Sequence, residues 1–370
     1  MMNAETDAIK PAGKDGLSAP QRLLVIGGLL LIITGMIFGD VFAVFILHPN
    51  AARISQALYA AANAVAGQNP DQVFFHFNAI GGFLENRGTK VDTHVHIIKM
   101  GYLALLLALI QPYVKLGSRL KLRLAQLFLT GAVLLPPAIF LIHYIGLAYS
   151  PLEAIGWASV VADLSGLLVI VACAGELMGL WCYFRGNTGP GHGADMQVNI
   201  NSRESRILLA GGVLMLLAGF LFGAYYAATR AEVNEAREVS LLQAVIEQAS
   251  VNDMQAVEQT LGDYGRLQGE RAVSIAAHAH INEFGMLALL MAFLQPYVFL
   301  TRCWKRRWVV VMLLGSVVLP VFVYLELKFG LVAGGVADTG GLLVILALFA
   351  MFCGVLRYTG KADATAGNTI

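Results

Sequence analysis

The chain is written in long apolar blocks, and one of those blocks occurs twice. "HVHIIKMGYLALLLALIQPYV" at 94–114 and "HAHINEFGMLALLMAFLQPYV" at 278–298 share 13 of 21 residues at a separation of 184. Runs of this length match the roughly 20 apolar residues needed to cross a bilayer. In lipid a spanning segment must satisfy its own backbone, which makes each such run a helix. Eight spans can be drawn, at roughly 23–47, 93–114, 122–146, 155–183, 206–228, 277–298, 307–329 and 335–357. Hydrophobic residues make up 57% of the chain and charged residues 13%, against roughly 25% charged in a soluble domain. The expected fold is all-α, a polytopic membrane protein in contact with the lipid bilayer. A formal charge of +1 gives no electrostatic footprint for a nucleic-acid partner.

The repeat reaches past the quoted block. Gly27, Gly28, Gly35 and Gly39 return as Gly211, Gly212, Gly219 and Gly223, Arg87 as Arg271, Pro136 as Pro320 and Gly146 as Gly330. Further on, "VADLSGLLVI" at 161–170 returns as "VADTGGLLVI" at 336–345, now 175 residues away, so one loop of the second half is nine residues shorter. The pattern predicts two tandem four-span units. An even number of spans gives both units one orientation, and hence a pseudo-twofold axis along the membrane normal. The short basic loops "KLGSRLKLR" and "TRCWKRRW" follow even-numbered spans. The positive-inside rule then places them and both termini in the cytoplasm, in a membrane of the bacterial inner (plasma) type.

The organisation expected is a cytoplasmic tail 1–22, a first unit 23–185, a cytoplasmic linker 186–205, a second unit 206–358 and a cytoplasmic tail 359–370. The first tail is polar and lacks the apolar core of a signal peptide, so the first block is expected to be a retained span. Segments 48–92 and 229–276 then face outward. Their apolar residues fall at helical spacing, which predicts a helical hairpin above each unit and a helical cap over the outer face.

Four cysteines, with no CxxC or CxxCH spacing, give no disulfide framework, thiolate metal site or covalent haem attachment. The histidines are more informative. Ionisable side chains within spans are costly and are read first as functional, and the pairs His94/His96 and His278/His280 hold the same place in both units. Residues two apart on a helix differ by about 200° and point to nearly opposite sides, so the two members of a pair cannot serve one centre. His94 shares a side with Gly101 and His278 with Gly285, and a glycine one or two turns below a histidine leaves room for a flat group.

A glycine-studded first span, an outer segment ending "GRLQGERAVSIAAHAHINEFG", and a second span opening on His-x-His with a glycine seven residues on resemble the first two helices of haem-copper oxidase subunit I. The likeness is nearest to nitric oxide reductases and their small four-span relatives, and it covers the first two spans and outer segment of each unit. It implies that His278 and His94, the first histidines of the second helix, are axial ligands of a low-spin haem b near the outer face. The departures are large: the family's further histidines, for a second haem and a metal, have no counterparts among the eight present here. Reduction of oxygen or nitric oxide is therefore unsupported, and no reaction is assigned; what the resemblance implies is a cytochrome b-like haem protein.

A six-coordinate haem needs two axial ligands, and the duplication supplies them most simply if His94 and His278 clamp one haem between the units. His143, within the third span, is the reserve ligand, and His96 and His280 are candidates to orient propionates or hold a second metal. Arg87 and Arg271 lie just outside the histidines, where a guanidinium fork suits a propionate; a solvated interfacial charge is the alternative for each. Lys99 and Glu283 hold equivalent positions with opposite charge and are expected to pair across the axis.

Three function classes follow. The first is an electron-transport subunit with haem b, serving quinol and other membrane or periplasmic redox subunits. The second is an outer-face histidine site for copper or zinc, and the third a cofactor-free structural subunit.

Overall fold

The computed structural model describes residues 17–145, 156–186 and 202–357. Helices account for nearly all of these residues, with no strand among them. In order they are α1 (Ala19–Phe42), α2 (His48–Ala66), α3 (Pro70–Ile110), α4 (Ser118–Ile145), α5 (Trp157–Gly186), α6 (Arg203–Tyr226), α7 (Glu232–Ser250), α8 (Met254–Leu294), α9 (Arg302–Phe329) and α10 (Leu331–Leu356). Eight helical stretches among the described residues are long and apolar enough to cross a membrane. The expected all-α, eight-span fold is present.

The segments 48–92 and 229–276 form helical hairpins as expected, and the arms of each hairpin run on into the neighbouring spans. The chain passes from α1 to α2 through a π-helical turn, Ala43–Leu47, and from α6 to α7 through Ala227–Ala231. On the return, α3 and α8 are each one unbroken helix of 41 residues, about 60 Å at 1.5 Å per residue and roughly twice the hydrocarbon thickness. No proline falls between Pro70 and Pro112, or between Met254 and Pro296, so nothing in those stretches removes a backbone donor. Each of these two segments is the extension of two spans.

Both extensions turn back at matched corners. Gln68 and Asn252 take left-handed backbone at φ 48° and 59°, the conformation that commonly ends a helix. The next residue caps the returning helix: the Asn69 side chain accepts from the Gln72 amide at 3.2 Å, and Asp253 from the Ala256 amide at 3.1 Å. The extensions pack on one another through Ala62 of α2, Val245 and Ala249 of α7, and Val257 and Leu261 of α8.

Within each half, close helix approach depends on glycine. A Cβ at Gly28 would meet the carbonyl oxygen of Gly101 at 2.9 Å, and one at Gly212 would meet that of Gly285 at 2.8 Å, which brings α1 onto α3 and α6 onto α8. One apolar core runs through both halves, from Leu24, Ile32 and Phe128 to Leu287, Met312 and Leu348. The halves meet where α1 packs on α10 and α3 on α8, the latter contact including a hydrogen bond from the Tyr102 hydroxyl to the Glu283 carbonyl at 3.1 Å.

Candidate functional site

His94 turns from α3 toward α1. Its Nδ1 lies 2.8 Å from the carbonyl oxygen of Gly35, and its ring rests on Gly39, where any side chain would collide with it. The second half repeats the arrangement: His278 Nδ1 lies 3.0 Å from the Gly219 carbonyl, with the ring on Gly223. A carbonyl can only accept, so in both rings Nδ1 carries the proton. In the neutral imidazole this leaves the lone pair on Nε2. A ring N–H held by a backbone carbonyl is the usual way in which a metal-ligating histidine is oriented and made more basic. The glycines singled out in the first and fifth spans are therefore the seats of the histidines.

The second members of the pairs are differently placed. His96 Nδ1 is 2.7 Å from the Asp92 carbonyl one turn back on its own helix, and His280 stacks on Phe284 with centroids 5.9 Å apart. Among the described residues no hydrogen bond or ring contact joins His94 to His278.

Around the two seated rings the halves differ. Asn282, one turn below His278, places its amide nitrogen 3.3 Å from Nε2 while donating to the His278 carbonyl at 3.0 Å. Its counterpart below His94 is Ile98, and His94 Nε2 has no hydrogen-bond partner among the described residues. Phe222 stacks near His278, 6.5 Å between centroids, and Tyr324 meets Phe222 edge-on at 5.5 Å. In the first half the corresponding Phe38 and Phe140 meet at 6.0 Å. Lys90 completes that side, with Nζ 4.2 Å from the Phe140 centroid and 4.3 Å from that of Tyr144. Lys90 has no exposed surface, and Ser274 replaces it in the second half.

Several expected partners are placed otherwise. The room expected beside Gly101 and Gly285 is filled by Ile32 and Leu216 of the neighbouring spans, so these glycines bring helices together and do not flank a bound group. Arg271 is ion-paired with Glu238 of α7, whose other oxygen accepts from Gln268 at 2.7 Å; its fork already holds a carboxylate of this chain. Arg87 is exposed. Lys99 and Glu283 form no ion pair, and Lys99 lies on the exposed side of α3. His143 belongs to α4, and its side chain lies outside the described residues. No group of three or more histidine, cysteine, aspartate or glutamate side chains is arranged to hold a metal ion among the described residues.

Two polar features were not foreseen. One is Lys90, four residues before His94 and so on the same helix face. The other is the buried pair Gln111 and Glu176, with Gln111 Nε2 donating to Glu176 at 2.7 Å; in the second half Gln295 faces Met351 instead. No protein-family model, curated protein or solved structure matches the chain.

Proposed function

We propose that the chain is a membrane haem b-binding protein, an electron-transfer subunit that serves quinol and other membrane or periplasmic redox subunits. The observation that carries this reading is the repeated histidine seat. Two half-buried imidazoles, His94 and His278, are each fixed through Nδ1 to a span carbonyl, which makes Nε2 the nitrogen suited to an axial position; on His278 the Asn282 amide would have to give way to the iron. In this reading the two units stand about an axis along the membrane normal, with the helical extensions outside, and supply one ligand each. Haem b contributes a one-electron couple when bound. The chain's own residues set the tautomer and hold the rings in place, with Phe222 stacked near His278.

Absorption spectra and metal analysis of the detergent-purified protein separate the function classes. A Soret band with reduced haem b bands supports the proposal. Bound copper or zinc without a Soret band supports a metal-handling site, and a colourless, metal-free protein supports a structural subunit.

A further inference from the structure

At the end of the bundle opposite the helical extensions, the first turns of α6 and α9 enclose a surface-open cavity of about 940 Å³, at the upper end of the range of small-molecule sites. Its wall carries Arg203 from α6 and Arg302, Arg306 and Arg307 from α9, against one carboxylate, Glu204. No described carboxylate forms an ion pair with any of the four arginines. Trp304 and Trp308 stack along one side at 6.2 Å, with the Arg307 guanidinium 5.1 Å above Trp304. Val310 and Val311 continue the lining into the apolar part of α9.

Orientation in the membrane does not account for this composition. The first half carries Arg119, Lys121 and Arg123 at the same end, which suffices for a basic inner loop. At the positions matching Arg203, Arg302, Trp304, Arg306 and Trp308 it has Ala19, Ser118, Leu120, Leu122 and Leu124. The second half therefore carries three guanidinium groups and an aromatic wall at positions where its twin has small or aliphatic residues, with Arg307 alone matched, by Arg123. Guanidinium groups bind phosphate oxygens in pairs, and tryptophan belongs at headgroup depth.

We infer that the cavity between α6 and α9 binds a phosphate-bearing anion, and that its source is the headgroup of an anionic phospholipid whose acyl chains continue over Val310 and Val311. Basic pockets between spans recognise such headgroups by charge and shape together. The site is independent of the histidines and of any haem.

Native mass spectrometry of the full chain in mild detergent tests this, with cardiolipin, phosphatidylglycerol, phosphatidylcholine and inorganic phosphate as separate probes. The wild type is expected to retain the anionic lipids over phosphatidylcholine. The double variant Arg302→Gln/Arg306→Gln should retain them about thirtyfold less, the effect of two membrane-proximal charges. Arg119→Gln/Arg123→Gln, the same charge loss in the first half, should behave as wild type. Binding of inorganic phosphate with the same arginine dependence, and of no lipid, supports the anion site and makes its source soluble. Equal losses in the two double variants, or equal retention of phosphatidylcholine, would overturn the inference. Should the arginine variant fail to fold, Trp304→Leu/Trp308→Leu decides the matter: it keeps every charge, carries the first half's own residues, and should still lose the lipid. Unchanged retention in that variant would also overturn the inference.

Discussion

α1 and α6 share one sequence pattern and are packed differently. Leu29 of α1 has no exposed surface, whereas Val213, its counterpart in α6, is 54% exposed; Ile33 and Leu217 divide in the same way, at 7% and 54%. The cause is an additional neighbour. α10 packs against α1, with Asp40 beside Gly341, while α6 packs on α8 and α9 and turns Leu214, Leu217 and Leu221 outward. α5, the counterpart of α10, packs on α4 and leaves Leu164, Leu167 and Leu177 exposed. Contacts inside a unit are thus held by the residues that repeat, such as the Gly28–Gly101 and Gly212–Gly285 approaches. Contacts between units fall to residues that have diverged: Asp40, at the α1–α10 contact, has Ala224 as its counterpart.

This contrast is most exposed to test at Leu29. Leu29→Ala removes a fully buried side chain and should cost about 2–5 kcal/mol, read as a lower midpoint in thermal unfolding of the detergent-solubilised protein. Val213→Ala should stay within about 0.5 kcal/mol. Equal losses would mean that α6 is covered as fully as α1.

Next in size are the histidine seats, which belong to the repeated part and should respond alike. Gly39→Ala and Gly223→Ala each drive a methyl group into a ring and should cost about 1–3 kcal/mol. Far-ultraviolet circular dichroism should show the helices intact, and the His94 or His278 ring should be displaced from its carbonyl. A large effect in one half only would break the equivalence of the seats.

The corners should also match, at a smaller scale. Asn69→Ala and Asp253→Ala each remove a helix cap worth about 1 kcal/mol, and thermal unfolding should show similar losses for the two. The smallest effect concerns the surroundings of the rings. Asn282→Ile gives the second half the residue of the first, and the stability change should be about 0.5 kcal/mol, the low end of one net hydrogen bond. Nitrogen NMR of labelled histidine should then show the His278 Nε2 resonance moving toward that of His94. An unmoved resonance would mean that Asn282 does not reach the ring.

The sequence foretold these features unequally. Spans were legible because a bilayer demands apolar length, and the halves because glycines and prolines that hold backbone contacts kept their spacing. Helical periodicity showed that 48–92 and 229–276 are helical. It did not show that α3 and α8 run unbroken, because "NRGTKVD" at 86–92 reads by polarity and by Gly88 as a boundary, although it holds no proline and the helix continues through that glycine. The histidine pairs were legible as a repeated cost. Their seats were not, since the link from His94 to Gly35 and Gly39 depends on how α1 crosses α3. Lys90 was missed because a lysine beside a span ordinarily reaches water, whereas here Phe140 and Tyr144 cover it. Gln111 and Glu176 are 65 residues apart, and no local spacing signals a pairing made by tertiary packing.

The central claim is that the first histidine of each pair, held through Nδ1, is the iron ligand. Optical and electron paramagnetic resonance spectra of the purified protein and its four single histidine variants test it most directly. The wild type should show low-spin haem b. His94→Ala and His278→Ala should each give a five-coordinate haem or lose it, while His96→Ala and His280→Ala keep the low-spin spectrum. Loss in His96→Ala or His280→Ala, with retention in His94→Ala and His278→Ala, would assign ligation to the second histidine of each pair. A low-spin spectrum that survives both His94→Ala and His278→Ala would contradict the account.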